Sequence, residues 1–219
     1  GYAELFRRGA GEHPEDLATS MARIEAEASR MGVLVDDLLL LARLDQGRQL
    51  EREQVDVSKV VADAVDAAHV IEPGRTIELT TTTPNATVSG DPGRLRQVVD
   101  NLLENARVHT PAGTTTRVGV ESQDGAVTLT VADDGPGMDP DVAGRAFERF
   151  YRGDPARARS TGGVGLGLSI VAAIVQAHGG AVHVVDGSPG TAIEVVLPVT
   201  PRPEPDRLPP RPSPGPRSS

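Results

Sequence analysis

Asn101 and Asn105 stand four residues apart in Asp100-Asn101-Leu102-Leu103-Glu104-Asn105-Ala106, so a helix would stack them on one face, one turn apart. Amides set among Val98, Leu102 and Leu103 are costly unless something uses them. As neutral oxygen donors they suit Mg2+, which takes few protein ligands and fills its shell with phosphate oxygens and water. Two such amides also serve to cross-link loops, and the segment by itself does not choose. A second segment, Val131-Ala132-Asp133-Asp134-Gly135-Pro136-Gly137-Met138, puts a carboxylate at the end of a predicted strand and follows it with Gly-X-Gly. The carboxylate can accept a hydrogen bond from an exocyclic amine, and the glycines let backbone pass close to a planar base. Adenine carries that amine, whereas guanine presents a carbonyl at the same edge. A plain strand-end turn is the competing interpretation.

The third segment, Gly162-Gly163-Val164-Gly165-Leu166-Gly167-Leu168, is a glycine run opening directly into a predicted helix. Exposed amides and the helix dipole at such a start favour phosphate. Two simpler phosphate sites are excluded. A P-loop needs Gly-Lys-Ser/Thr and a serine/threonine kinase needs a strand lysine, but Lys59 is the only lysine and sits in neither context. A dinucleotide fingerprint would follow the first strand of a βαβ unit, whereas this run comes late, after an arginine-rich stretch. Between the second and third segments, Arg145-Ala146-Phe147-Glu148-Arg149-Phe150-Tyr151-Arg152 holds three of the five aromatic residues. Residues 153–163 beyond it are small and polar. Aromatic anchors at one end and glycines at the other predict a lid over bound nucleotide, with Phe147 and Phe150 also acting as a hydrophobic latch.

Elements must position these segments. From Leu17 onward, Leu17, Met21, Ile24, Ala28, Met31, Val35, Leu38 and Ala42 alternate by four and three, the seam of a helix in a coiled coil or bundle. Residues 2–8 read as the end of an earlier helix, with Gly9, Gly11 and Pro14 in the turn between. The run 38–41 widens the apolar surface and favours a four-helix dimer. After Gly47 the pattern changes: a strand is expected over 50–55 and a helix over 57–68, capped by Asp56, with Val57, Val60, Val61, Ala64 and Val65 on one face. Strands are expected over 75–82 and 86–89, and Asp91 caps a helix that begins Pro92-Gly93. Ser122-Gln123-Asp124-Gly125 joins strands 115–121 and 126–132 as a hairpin. A helix over 166–178 stops at Gly179-Gly180, and strands 181–186 and 192–197 follow. The expectation is α+β: a helical segment, then a sandwich with helices on one face of a mixed sheet.

The chain has 219 residues, 38% of them hydrophobic, enough for one core plus a smaller helical unit. A formal charge of −9 and a pI near 5.0 argue against a general electrostatic grip on nucleic acid. With no cysteine, disulfides, thiolate metal sites and cysteine nucleophiles are all excluded. Its apolar stretches are shorter than the about 18 residues of a spanning helix, and no signal peptide is visible. Beginning Gly-Tyr-Ala-Glu-Leu-Phe in helix-forming sequence, it reads as cut from a longer protein. Residues 201–219 are proline, arginine and serine without periodicity, a tail expected to be disordered.

In this order, Asp100 to Ala106, Asp133-Asp134-Gly135-Pro136-Gly137, Phe147-Glu148-Arg149-Phe150-Tyr151-Arg152 and Gly163-Val164-Gly165-Leu166-Gly167-Leu168 resemble the N, G1, F and G2 boxes of a bacterial sensor histidine kinase. The likeness spans residues 1–200. The gyrase and Hsp90 ATPases share the nucleotide fold, but the Phe-Glu-Arg-Phe-Tyr-Arg box and the heptad helix resemble the kinases. The resemblance implies a partial dimerisation hairpin over 1–47 and a catalytic ATP-binding domain over 48–200, of the histidine kinase/Hsp90/gyrase ATPase type. It also implies ATP and Mg2+ as cofactors, a homodimer through the hairpin and a response regulator as partner. The piece in hand would be cytoplasmic, and the parent anchored in the bacterial inner membrane through upstream segments.

Carried over by position, the resemblance assigns the adenine amino group to Asp133 and Mg2+ to Asn105, with Asn101 beside it. His109 and Arg152 would approach the phosphates. Gly135, Gly137, Gly163, Gly165 and Gly167, with Leu166 among them, would bring backbone to the nucleotide. Two departures stand out: Val108 occupies a position where the family often has lysine, and Arg107 is one helix position off. No catalytic residue is expected in this stretch, because none of His13, His69, His109, His178 and His183 sits in the family's His-Glu/Asp-X-Arg-X-Pro acceptor box. The chain is therefore expected to bind ATP without labelling itself. A degenerate nucleotide-binding scaffold without phosphotransfer is the alternative, and an anti-sigma serine kinase would lack the heptad helix.

Overall fold

The computed structural model describes residues 14–47, 50–81, 83, 86–153, 164–186 and 189–199. The expected earlier helix over 2–8, His13 and the tail over 201–219 lie outside the described residues.

Helix α1 (Pro14–Asp45) opens at Pro14 rather than leaving it in a turn, as proline's fixed φ and missing N–H allow in a first helical turn. Among the heptad residues Leu17 and Ile24 are half-buried and the others form a bare stripe, with Met31 60%, Val35 54% and Leu38 44% exposed. The widened run is used otherwise than expected. Leu40 and Leu41 are buried, and Leu34 and Leu44 pack with them into the core of the same chain, where α1 lies against the late helix described below. At 100° per residue, the stripe of Leu34, Asp37, Leu41 and Leu44 lies roughly 120° around the helix from that of Met31, Val35 and Ala42. Asp37 in the packed stripe is half-buried and accepts from Gln97 Nε2 at 3.3 Å. Burial, with Asp36 adding repulsion, raises its pKa, and Arg94 opposes this.

Strand β1 (Glu53–Asp56) starts later than expected and pairs antiparallel with β3 (Thr87–Gly90) in a two-stranded sheet. Asp56 caps α2 (Val57–Ile71), accepting from Ser58 and Lys59 N–H. Val57, Val61, Ala64 and Val65 are buried and Val60 partly so, while the helix runs on past residue 68 to Ile71. Asp91 caps α3 (Pro92–His109) by accepting from Arg94 N–H at 3.0 Å, with proline in the first turn. Leu95, Val98, Val99, Leu102, Leu103 and Ala106 form the buried face of α3.

The main sheet holds β2 (Ile77–Thr81), β4 (Thr116–Gln123), β5 (Ala126–Asp133), β7 (Thr191–Pro198) and β6 (Ala181–Asp186), in the order β2-β4-β5-β7-β6. Only the β2/β4 pair is parallel. Asp124 and Gly125 turn the β4/β5 hairpin with φ of 53° and 78°, the two left-handed positions of a tight two-residue turn. One face alternates Val118 and Val120 with Val127, Leu129 and Val131, all buried. Helices α2, α3 and α5 (Gly167–Ala177) lie against the sheet, α3 between the other two, and one helical turn, α4 (Pro140–Ala143), follows β5. This is the expected α+β architecture. It aims the C-terminal end of β5, the C-terminal half of α3 and the start of α5 at one another.

His178 ties two of these helices together. It is 4% exposed just past α5, its Nε2 accepts from Asp91 N–H at 3.0 Å, and its Nδ1 lies 2.8 Å from the Ile174 carbonyl. Because Nε2 accepts, the proton sits on Nδ1. A Cβ at Gly90 would come within 2.6 Å of the imidazole, so the residue before the α3 cap must be glycine.

Candidate nucleotide site

Asp133 ends β5 opposite Thr116 on β4 and is 7% exposed. Its Oδ1 accepts from the backbone N–H of Gly135 at 2.9 Å and of Thr191 at 3.3 Å, so neither bond uses Oδ2. The next carboxylate does a different job. Asp134 Oδ1 accepts from Thr115 N–H at 2.7 Å and Asp134 N–H donates to Thr115 O at 3.2 Å, which staples the strand end to β4. Thr191 opens β7, and Gly190 before it has φ of 102° in a place where any Cβ would strike the Asp133 carbonyl. Gly137, with φ of 80°, passes close to the Gly190 carbonyl. A Cβ at Gly135 would lie 2.8 Å from Asp133 Oδ1 and 2.8 Å from the methyl of Thr110. The turn is thus pinned by backbone on both sides of the carboxylate.

Asn101 and Asn105 are both half-buried on α3. Asn101 Nδ2 is buried without a hydrogen-bond partner, an amide donor directed where nothing in the protein receives it. Arg107, on the next turn, is committed elsewhere: Glu104 takes its Nε and Nη2 at 2.6 Å each and holds its pKa up. His109 is exposed at the helix end and Val108 is half-buried.

The aromatic segment reaches back to the glycine run through its backbone. Phe150 N–H donates to the Gly165 carbonyl at 3.0 Å. A Cβ at Gly165, where φ is 78°, would come 2.8 Å from the Tyr151 carbonyl. The chain's own backbone therefore requires that glycine. Gly167 differs, with nothing within 4 Å of an added Cβ, so open space lies beside the first turn of α5. No side chain caps that helix, and Leu166 before it is buried in the core. Phe147 packs against the core as the latch expectation required, but Phe150 does not. It is 56% exposed at φ of 62°, because its backbone bond to Gly165 fixes a left-handed turn that swings the ring outward. Arg145 stacks 4.1 Å over Tyr151 and pairs with Glu148, whose carboxyl it holds below the ordinary range. Arg149 reaches Asp45 at the end of α1 at 2.7 Å. Arg152 is half-buried at the end of the segment, whereas Gly163 and most of the lid, residues 154–163, lie outside the described residues.

Three residues of this site escaped the motif analysis: Arg75, Gly190 and Thr191. Pro-Gly-Thr before a strand is a turn signal that could have flagged the last two. Arg75 has no local signature at all.

The residues fit a nucleotide on three observations: the orphaned amide of Asn101, the glycine-pinned carboxylate turn, and the uncapped start of α5 beside open space. Among the described residues no cluster of three or more His, Cys, Asp or Glu is placed to hold a metal, so a divalent cation here would depend on amide and phosphate oxygens.

Comparison with known proteins agrees. The family described as histidine kinase-, DNA gyrase B-, and HSP90-like ATPase matches residues 90–201. The chain is 47% identical over 200 residues to the probable sensor histidine kinase TcrY of Mycobacterium tuberculosis, covering 91% of this chain and 42% of that one. It is 37% identical over 173 residues to the sensor histidine kinase CusS of Escherichia coli, covering 78% and 36%. It thus spans less than half the length of either relative. Among solved structures, the mycobacterial sensor histidine kinase MprB superposes with a TM-score of 0.59 at 36% identity over 67% of this chain and 97% of that one. Full-length ShkA in complex with AMPPNP superposes at 0.71 with 30% identity, over 85% and 39%. From the boxes, the fold that joins them and these matches, the chain belongs to the histidine kinase-, gyrase- and HSP90-like ATPases, and among them to the sensor histidine kinases, whose ATP-binding domain it carries.

Proposed function

We propose that this chain is the catalytic core of a sensor histidine kinase that moves the γ-phosphoryl group of ATP onto a histidine of a dimerisation helix, from which it passes to a response regulator. The observation that carries the site assignment is the geometry of Asp133: buried, with Oδ1 held by two backbone amides and Oδ2 used by neither. Oδ2 accepts from the adenine amino group, and Gly135 and Gly137 leave room for the base. Asn101 and Asn105 face the phosphates from α3, and Asn105 would supply an oxygen to Mg2+, which would neutralise phosphate charge. His109 and Arg152 approach the phosphates, and the amides of Gly165, Leu166 and Gly167 at the start of α5, with Gly163 preceding them in sequence, receive them.

In the transfer, the bond between the γ-phosphorus and its bridging oxygen breaks, a bond from phosphorus to an imidazole nitrogen forms, and ADP leaves. Positioning and charge neutralisation supply most of the catalysis in such a step. On this reading the acceptor lies on another stretch of chain, since none of the five histidines, His13 included, sits in an acceptor box. His178 is buried and doubly bonded, His69, His109 and His183 lie within the sandwich, and α1 contains no histidine.

Residues 1–47 form part of the dimerisation hairpin and 48–200 the catalytic domain, and the bare stripe of α1 pairs with the same stripe of a second copy. No described helix is long and apolar enough to cross a membrane, and attachment of the parent protein rests with other segments. The test is phosphotransfer in trans. Incubated with radiolabelled ATP and a dimerisation segment carrying its histidine, the chain yields acid-labile phosphohistidine on that segment and none on itself. ATP binding without any transfer would instead make it a nucleotide-binding scaffold.

A further inference from the structure

Arg75 is a buried cation paired only loosely with a carboxylate. Its side chain is 6% exposed, and Glu72 stands 3.8 Å away. Its guanidinium instead caps the end of α3: Nη1 donates to the Arg107 carbonyl at 3.1 Å and Nη2 to the Ala106 carbonyl at 3.0 Å. Those carbonyls belong to the last turn, where a helix leaves acceptors unpaired and its dipole is negative. Nη2 also donates to Thr110 Oγ1.

Thr110 then transmits the constraint. Its hydroxyl donates to the Ala106 carbonyl at 2.6 Å while accepting from Arg75. With the oxygen held from two sides, the side chain cannot rotate, and its methyl points at Gly135, 2.8 Å from where a Cβ would stand. Gly135 N–H is one of the two donors that hold Asp133 Oδ1. Arg75 thus bonds to Thr110, Thr110 stands where it would meet any side chain at Gly135, and Gly135 bonds to Asp133.

We infer that Arg75 and Thr110 are positioning residues for base recognition, setting the orientation of the Asp133 carboxylate and hence the preference for a 6-amino purine over a 6-oxo purine. The inference rests on Asp133 being the group that reads the adenine amine. Lysine cannot replace Arg75 here, because a single ammonium on a flexible stem does not match the planar fork that spans two carbonyls and a hydroxyl. Serine at 110 keeps the hydroxyl and both its bonds but removes the methyl.

The experiment measures dissociation constants of ATP and inosine triphosphate by calorimetry on the full chain and on Arg75→Lys and Thr110→Ser, with thermal melting of each. The wild-type chain binds ATP tighter than inosine triphosphate by about tenfold or more, the worth of a hydrogen bond to a charged acceptor. Each variant lowers that ratio at least threefold, and Thr110→Ser does so with its melting temperature unchanged. A variant that weakens both nucleotides by the same factor, or leaves the ratio intact, shows that the pair only stabilises the fold and overturns the inference. A wild-type chain without preference overturns the Asp133 assignment and this inference with it.

Discussion

Replacing His178 with leucine tests how the fold holds the start of α3, the helix that carries Asn101 and Asn105. The Ile174 carbonyl already receives His178 backbone N–H at 3.1 Å, so losing the ring Nδ1–H leaves no orphan there. Asp91 N–H is different: its acceptor is Nε2, and leucine strands it at the cap of α3. A buried donor left unpaired costs about 1–3 kcal/mol. Taking about 2 kcal/mol, the melting temperature of a domain this size falls by roughly 4–8 °C. The loss depends on pH. Burial holds the His178 pKa below its ordinary value, with Arg52 acting in the same direction and the Ile174 bond and Asp91 opposing. The unfolded chain therefore takes up the proton first, near pH 6.5. The contribution of His178 is complete above that pH and declines as pH falls from about 6.5 toward the lower folded-state value. Urea unfolding of wild type and His178→Leu at pH 7.5, 6.5 and 5.5 should show a gap that narrows with acidity. A gap of the same size at pH 5.5 and 7.5, or none at pH 7.5, would refute the reasoning.

Gly90→Ala should destabilise the fold through its collision with the imidazole, and combining it with His178→Ala should recover part of the loss in the same unfolding assay. Asp133→Asn should keep both backbone bonds through its amide oxygen and so melt close to wild type, yet weaken ATP by roughly tenfold to a hundredfold in calorimetry, because an NH2 then faces the base. Asp133→Ala should lose stability as well, since it orphans two amides at about 1–3 kcal/mol each. Gly190→Ala, forced to adopt φ of 102° against the Asp133 carbonyl, should lower the melting temperature and abolish nucleotide binding. Val35→Glu with Leu38→Glu should shift sedimentation from dimer toward monomer while leaving the ATP affinity unchanged, as both side chains are exposed.

Signals carried within a few residues were legible before any fold was known. Asp56 and Asp91 cap the helices they precede, Asp124-Gly125 turns the hairpin, and Gly179 ends α5. The pairing order β2-β4-β5-β7-β6, with its one parallel pair, was not, because strand neighbours are chosen by packing across the whole chain. The same limit hid Arg75, whose partners lie 31 to 35 residues further on. Phe150 misled for another reason. Aromatic character suggested burial, but a backbone bond to Gly165 sets its φ and turns the ring to solvent. In α1 the period identified the helix, yet an apolar count could not say that Leu40 and Leu41 serve the chain's own core while Met31 and Val35 do not.

The two stripes of α1 make that helix behave mechanically as a shaft with separate gear faces. An α-helix hydrogen-bonded along its length resists torsion, so a twist applied at its upper end arrives at Leu41 nearly undiminished. With the packed stripe and the bare stripe roughly 120° apart, such a twist cannot turn one without turning the other. A tilt behaves differently: it can lift Leu40 and Leu41 from the sandwich and open the Asp45–Arg149 pair while the bare stripe keeps its heading. Rotation and tilt of one helix are thus two motions with separate mechanical consequences in this architecture.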